Sequence, residues 1–292
     1  MQMNISNKIR KNYYRILPYF QISPSALYLI IFMVAPLLVF TIYSFWRVES
    51  FKIIKDFNLE NYIKIFTSKL YLKTFLNSVY IGFIASFFVV VIGYILSYGV
   101  KFFFGKYKNL WMLLIYLSIF GSYLVRIYAW KSILGVSGLI NQILLSLRIV
   151  EQPLTIFMYN RVAVIITLIN LYIPYSFVTI FSSLQEVSKD YIEASRDLGG
   201  NSLITFFKIT FPLSFNGVIT GFIVTFVFSS TDFVVPSLLG GKTGLTVSKI
   251  IAEQFGIVYN WPFAAALSIV FIVMLLIILM VISSLPKLIK RA

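Results

Sequence analysis

The most informative part of this sequence is residues 185–212, which read QEVSKDYIEASRDLGGNSLITFFKITFP. Asp190–Leu198 can form a short helix, and the two glycines that follow permit a sharp change of direction because glycine reaches positive φ without penalty. Asn201 or Ser202 can cap a second short helix. Pro212 suits the entry to a further helix, where its missing N–H matters least. The stretch therefore predicts a helix–turn–helix between two longer segments.

The composition of the whole chain predicts an integral membrane protein. Of 292 residues, 59% are hydrophobic and 12% are charged, and the mean hydropathy is +0.89. Soluble domains are typically about 45–50% apolar and about 25% charged. The chain has no cysteine and no histidine, which excludes disulfides, Cys or His metal sites and a histidine base. We expect no catalytic residue and no bound metal. The net charge of +15 indicates contact with anionic membrane lipid rather than with nucleic acid.

Six segments are apolar over the roughly 20 residues that a helix needs to cross a bilayer. They are residues 27–46, 77–99, 110–130, 162–184, 214–239 and 264–285, and they predict an all-α, multi-pass membrane protein with one transmembrane domain over 27–285. Lys8, Arg10, Lys11 and Arg15 precede the first span, so the positive-inside rule places both termini in the cytoplasm. Residues 1–26 are then a cytoplasmic segment, 185–212 a cytoplasmic loop and 286–292 a cytoplasmic tail.

The charge pattern of the loop leaves two interpretations open. Four acids, at 186, 190, 193 and 197, lie close to three bases, at 189, 196 and 208. Such a mixture is a weak topological signal, and it suits either a protein-docking surface or a solvated amphipathic loop.

The loop resembles the cytoplasmic loop of ABC-importer permease subunits, whose pattern is Glu-Ala-Ala, three residues, Gly, nine residues, Ile-x-Leu-Pro. Glu193, Ala194, Gly199, Ile209 and Pro212 match it in register. Ser195 replaces the second alanine and Phe211 the leucine, and both changes are mild. The resemblance implies the type I ABC importer permease fold, with a coupling helix that seats in a groove of a separate ATPase subunit. The residues it implies for this contact are Glu193, Ala194, Ser195, Asp197, Gly199, Ile209 and Pro212.

Three further stretches resemble the spermidine/putrescine-type branch of these permeases. They are 126–131 with 138–141, 230–236 with the glycines at 240 and 241, and 260–266. The branch implies a polyamine substrate, while relatives for ferric iron, phosphonates or amino-acid-like solutes share parts of the pattern. It also implies a pair of ATPase subunits, a second permease and a periplasmic solute-binding protein as partners. ATP is expected on the ATPase, because Gly241-Lys242-Thr243 lacks the earlier glycine of a P-loop.

Two ionisable residues, Arg126 and Asp232, lie well within predicted spans, where charges are costly and face a cavity or a partner. Counted along straight helices, both fall in the outer half of the membrane at a similar depth. The two side chains could form an ion pair, or Asp232 could meet a cationic solute in the pathway. Alternatively, Arg126 reaches the headgroups and Asp232 accepts backbone N–H bonds at a helix break before Pro236.

Aromatic residues near these charges are candidates for the pathway, since ammonium groups bind over ring faces. They are Tyr123, Tyr128, Trp130 and Trp261, and an aromatic belt at the membrane interface explains them equally well. Gly217 and Gly221 form a small-xxx-small pair, which predicts close helix packing within this chain or against a second permease. A secondary transporter and an intramembrane enzyme are the competing classes. The sequence disfavours both, because six spans without an inverted repeat offer one membrane carboxylate.

Overall fold

The computed structural model describes residues 21–50 and 52–289, with side chains up to 284, and this part of the chain is mostly helical. The predicted cations before the first span and the last residues of the predicted tail lie outside the described residues. The helices are α1 (Gln21–Tyr43), α2 (Glu60–Thr67), α3 (Lys69–Phe102), α4 (Lys108–Phe120), α5 (Tyr123–Leu134), α6 (Leu139–Ser146), α7 (Arg161–Gln185), α8 (Lys189–Asp197), α9 (Ser202–Thr231), α10 (Val234–Leu239), α11 (Val247–Gly256) and α12 (Trp261–Ile289). A small hairpin pairs β1 (Arg47–Glu49) antiparallel with β2 (Lys52–Ile54).

The centre of the molecule is formed by α3, α7 and α9, which make the most extensive contacts between helices. Their buried side chains are apolar or small, such as Ile81 and Ala85 of α3 and Leu168 of α7. Small hydroxyl residues complete the contact, because Ser176 of α7 donates to the Val89 carbonyl of α3 at 3.0 Å. Such residues let helices approach closely and satisfy polar groups away from water. By contrast, the apolar window of α1 buries none of its residues, so this helix lies at the periphery.

Five described helices are long and apolar enough to cross a membrane, and a bent pair could supply a sixth crossing. The bent pair replaces the predicted third span, 110–130. Residues 105–120 and 123–146 differ in direction by 96°, because Gly121 and Ser122 adopt extended backbone with ψ of 141° and 125°. The sequence remains apolar through this break, so hydropathy alone indicates one straight helix.

The predicted fifth span, 214–239, also differs from the structure. Helix α9 begins earlier, at Ser202, and ends at Thr231, where Asp232 adopts an extended conformation with ψ of 129°. The short α10 then resumes the helical course. The second span, predicted at 77–99, is part of the longer α3. The first, fourth and sixth predicted spans overlap α1, α7 and α12 within a few residues at most ends.

Candidate functional site

Residues 185–212 fold as a helix–turn–helix. Helix α8 begins behind Ser188, whose hydroxyl accepts from the Asp190 N–H at 3.2 Å. It ends at Asp197, and in the turn that follows Gly199 has φ of +80° and donates its N–H to the Arg196 carbonyl at 2.9 Å. Asn201 caps the start of α9, because its side-chain oxygen accepts from the Ile204 N–H at 2.9 Å. The glycine turn and the cap are those expected from the sequence.

Pro212 lies in the first turn of the α-helical segment Phe211–Thr231, as the sequence predicted, although the helical course of α9 runs on from Ser202 without a break. Just before it, residues Phe206–Thr210 form a π-helical turn, in which the Phe211 N–H donates to the Phe206 carbonyl five residues earlier. An interior proline removes an N–H donor and its ring crowds the carbonyl four residues back. The wider turn relieves that crowding, and π-turns of this kind are frequent at functional sites.

Ser195 connects the two helices of the loop. Its hydroxyl lies 2.9 Å from the Thr205 hydroxyl, and both residues are buried. A Cβ atom at Gly200 would lie 2.6 Å from the Ser195 carbonyl oxygen, so the turn also requires a glycine there. The residue that departs from the family pattern therefore has a hydrogen-bond partner of its own in this chain.

The outer surface of the loop is apolar and acidic. Leu198 is 89% exposed and Phe207 is 64% exposed, and Glu193, Ala194 and Asp197 are also exposed. Within the described residues, none of the loop acids forms an ion pair. Large exposed apolar side chains beside unpaired charges are typical of a surface that docks another protein.

Lys101, which the sequence analysis did not single out, supports the base of this loop. Its Nζ donates to the Leu184 carbonyl in the last turn of α7 and, at 2.8 Å, to the Val187 carbonyl just after that helix. The last carbonyls of a helix have no partner within the helix, and a lysine there also interacts favourably with the helix dipole. The contact joins residues 83 and 86 positions apart, so no local sequence signal reveals it.

Asp232 is the centre of a polar cluster inside the bundle and is 7% exposed. Its Oδ2 accepts hydrogen bonds from the Tyr123 hydroxyl and, at 2.8 Å, from the Tyr172 hydroxyl. Its Oδ1 accepts from the Val235 N–H at 3.0 Å, at the start of α10. The helix break between α9 and α10 is thus closed by the carboxylate itself.

Arg126 does not form an ion pair with Asp232 among the described residues. Its Nη1 donates to the Leu171 carbonyl at 3.4 Å, and its buried Nε has no partner. The Asp232 side chain accepts a backbone N–H before Pro236, as one of the three arrangements expected, and a meeting of Asp232 with a cationic solute stays a prediction. The Arg126 guanidinium lies against α7.

Asp232 lies level with the middle of α7. Its partner Tyr172 lies 12 residues from Leu184, where Lys101 marks the end of α7. At 1.5 Å per residue this is about 18 Å, which is about half the length of this 25-residue helix.

Within the described residues, no hydrogen bond or ring contact joins the remaining predicted pathway residues to Asp232, Tyr123 or Tyr172. Tyr128 is exposed and has the Lys131 ammonium 6.0 Å from its ring centroid. Trp130 packs against a core that includes Ile127 and Leu134 of its own helix. Trp261 stands edge-on to Phe255, with centroids 6.0 Å apart.

Three aromatic rings that the sequence analysis passed over form a group that reaches Asp232 through the Tyr172 hydroxyl. Tyr172, Tyr175 and Phe228 have ring centroids 5.3–6.0 Å apart from one another. All three rings are only partly buried or exposed. Together with the carboxylate they form a half-open polar and aromatic surface near the middle of α7.

Gly217 and Gly221 pack within this chain, against α7. A Cβ atom at Gly217 would lie 2.5 Å from the Ser183 Cβ and 2.7 Å from the Thr179 carbonyl oxygen. At Gly221 it would lie 2.7 Å from the Thr179 hydroxyl. This is the close helix approach that the glycine spacing predicts.

Comparison with known proteins assigns nearly the whole chain to one protein family. The family model of binding-protein-dependent transport system inner membrane components matches residues 3–285. The chain belongs to this family. It is a permease subunit of an ABC importer, located in the inner membrane.

Relatives of this ABC-importer permease are similar over most of their length. The spermidine/putrescine transport system permease protein PotB of Haemophilus influenzae is 33% identical over 233 residues, which are 80% of this chain and 81% of that protein. PotB of Escherichia coli K12 is 31% identical over 255 residues, 87% and 92% of the two chains. A chain of a bacterial ABC transporter involved in the import of the acidic polysaccharide alginate has the same fold, with a TM-score of 0.78 over 96% of this chain and 98% of that chain, at 16% identity.

Proposed function

We propose that this ABC importer takes up polyamines of the spermidine and putrescine type. The observation that carries the proposal is the similarity to the PotB permeases, at 31–33% identity over 80–87% of the chain. The alginate transporter has the same fold at 16% identity, and similarity at that level indicates the fold but not the substrate. The substrate class therefore rests on the sequence relatives and on the chemistry of the intramembrane cluster.

The Asp232 cluster suits an ammonium group. Its carboxylate has no cation partner among the described residues, and hydroxyl donors from α5 and α7 hold it in place. Tyr172 contacts the carboxylate, and the rings of Tyr175 and Phe228 pack against the Tyr172 ring. Ammonium groups are attracted both to carboxylates and to ring faces, and more strongly where water is excluded. One carboxylate can hold one end of a polyamine as it passes, while a separate binding protein performs the main selection.

Coupling to ATP hydrolysis belongs to the loop at 185–212. We place this loop and both termini in the cytoplasm, where an ATPase dimer is the partner of the exposed surface around Glu193, Leu198 and Phe207. Gly199 and Ser195 keep the loop in shape, and Lys101 attaches it to α3. Closure of the ATPase subunits then moves α7 and α9 together, since the loop joins them directly. This chain, a second permease and a loaded periplasmic binding protein complete an alternating-access cycle.

The experiment is ATP-driven uptake by the complete transporter, purified through a tag on this chain and reconstituted in vesicles. Labelled spermidine or putrescine, delivered with the co-purified binding protein, should accumulate, and an excess of unlabelled polyamine should compete. Uptake of phosphonate or an amino acid instead, with no response to polyamine, would overturn the substrate assignment. Uptake without ATPase subunits would overturn the coupling assignment.

A further inference from the structure

A basic pocket lies at the end of the bundle opposite the coupling loop, beside the first turns of α3 and α7. Its volume is about 270 Å³, and its walls include Lys73, Asn77, Arg161, Lys242 and Thr243. Three of the residues that line the pocket are cations and none is an acid. A pocket with this charge repels a polyamine, so it is not part of the route for the proposed substrate.

Two buried polar atoms at this pocket have no partner in the structure. The Arg161 Nε is an unused donor and the Asn77 Oδ1 an unused acceptor. Other contacts fix the position of both side chains. The Arg161 guanidinium lies 4.7 Å from the Tyr80 ring centroid. The Asn77 Nδ2 donates to the carbonyls of Thr243 and Leu245 at 3.1 and 2.6 Å. Buried groups of this kind are costly unless a ligand or water pairs them.

The pocket lies at the level of lipid headgroups. Counting about 20 residues from Lys101 along α3 and from Leu184 along α7 places the far boundary of the hydrocarbon core near Ile81 and Val164. Arg161 begins the 25-residue α7 just beyond that boundary, so the positive end of the helix dipole adds to the charge of the cations. Tyr80 is at the boundary itself, the usual depth of an aromatic belt.

An exposed apolar face of α3 continues from the pocket into the membrane. Leu76, Tyr80, Phe83 and Phe87 occur at helical spacing and are 48–70% exposed. Lys73 is also exposed and lies on the same side of the helix, one turn before Leu76 and Asn77. A cationic pocket directly above an apolar strip complements a phospholipid, in which an anionic phosphate lies above apolar acyl chains.

We propose that this pocket binds the phosphate of an anionic phospholipid with a hydroxyl-bearing headgroup, such as phosphatidylglycerol. Lys73, Arg161 and Lys242 contact the phosphate, with the Arg161 Nε as a directed donor. Asn77 Oδ1 accepts from a headgroup hydroxyl, and the acyl chains lie along Tyr80, Phe83 and Phe87. An acidic side chain of a docking protein would satisfy the cations but would leave the apolar strip without a partner.

The test is a titration of the complete transporter in detergent with palmitoyl-oleoyl-phosphatidylglycerol, followed by native mass spectrometry. The matched probe is the phosphatidylcholine with the same acyl chains, which has the phosphate but no net charge. The pocket variant is K73Q/K242Q, and the control K69Q/K131Q removes the same charge from α3 and α5 outside the pocket. A lysine near an anionic lipid contributes about fivefold in affinity, so the pocket variant should bind about 25-fold more weakly. The control should stay within about twofold of the wild type.

Each other result overturns the proposal. Equal loss in the pocket and control variants, or equal binding of phosphatidylcholine and phosphatidylglycerol, would mean that there is no specific site. Unchanged lipid binding with weakened capture of the loaded binding protein would assign the pocket to a protein carboxylate. If the double variant does not assemble, K242Q alone changes an exposed loop residue and should still weaken phosphatidylglycerol binding about fivefold.

Discussion

The hydroxyl of Ser195 on α8 and the hydroxyl of Thr205 on α9 lie 2.9 Å apart, with both residues buried. They hold together the two helices of the loop that we assign to the ATPase contact. Because the pair is buried, removing one member leaves the other without a partner, whereas removing both does not. The pair therefore allows the shape of the loop to be tested separately from its exposed surface.

Ser195→Ala should uncouple the importer partly. The change leaves the Thr205 hydroxyl buried and unpaired, at a cost of about 1–3 kcal/mol. The double variant S195A/T205V removes both hydroxyls and should recover most of the loss. The measurement is polyamine uptake per ATP hydrolysed in reconstituted vesicles. A double variant as poor as S195A would show that the hydrogen bond is not what the single change removes.

Gly199→Ala should also lower the polyamine uptake per ATP hydrolysed. The residue has φ of +80°, where an alanine costs roughly 1–2 kcal/mol, and the strain would displace Leu198 and Asp197 beside it. Gly256→Ala is the matched control, because Gly256 ends α11 with no heavy atom near its Cβ position. The two variants should assemble equally well, as judged by size-exclusion chromatography. Normal coupling in G199A would contradict a role for this turn.

Much of the loop could be predicted from the sequence because its signals are local. Gly199 and Asn201 determine their turn and cap within four residues, so reading along the chain finds them. The breaks at Gly121 and Asp232 could not be predicted in this way. Both interrupt apolar sequence, and at Asp232 the break is stabilised by Tyr123 and Tyr172, which are 109 and 60 residues away.

Distant contacts and helix breaks also explain which of the candidate site residues contact one another in the structure. Tyr123 contacts Asp232 because the bend after α4 redirects α5, whereas a straight helix would carry its aromatic residues elsewhere. Tyr172 and Lys101 were passed over because their partners are distant in sequence. Hydropathy therefore predicts which segments enter the membrane, while tertiary contacts decide where their helices stop.

Lys101→Met should lower coupling without changing the amount of assembled protein greatly. Methionine keeps the apolar stem but removes the donors to the Leu184 and Val187 carbonyls, each loss costing about 1–3 kcal/mol if the carbonyl stays dry. Lys101→Arg keeps the charge and the donors and should restore function. Lys106→Met, on the short turn after α3, is the control. Uptake per ATP hydrolysed should be low in K101M and close to the wild-type value in K101R and K106M. Low coupling in K101R would contradict a positioning role for Lys101.

Asp232→Asn should reduce polyamine uptake at least tenfold while leaving basal ATP hydrolysis in place. The amide keeps the size of the side chain and an oxygen for the Val235 N–H, but it removes the negative charge that attracts an ammonium group. Tyr123→Phe keeps the charge and loses one hydroxyl donor, so its effect should be smaller. Uptake by D232N at the wild-type rate would show that the carboxylate serves the helix break alone.

Gly217→Ala should destabilise the importer more than Gly221→Ala, although both glycines face α7. A methyl group at 217 meets the Thr179 carbonyl oxygen at 2.7 Å and the Ile180 Cα at 3.1 Å, which are backbone atoms that cannot move aside. At 221 the nearest atom is the Thr179 hydroxyl, which can rotate. Overpacking of this kind costs about 1–3 kcal/mol, so the melting temperature of purified G217A should fall clearly below that of G221A. Equal melting temperatures of the two variants would mean that α7 and α9 can adjust their distance freely. In that case neither G217A nor G221A should change the uptake per ATP hydrolysed.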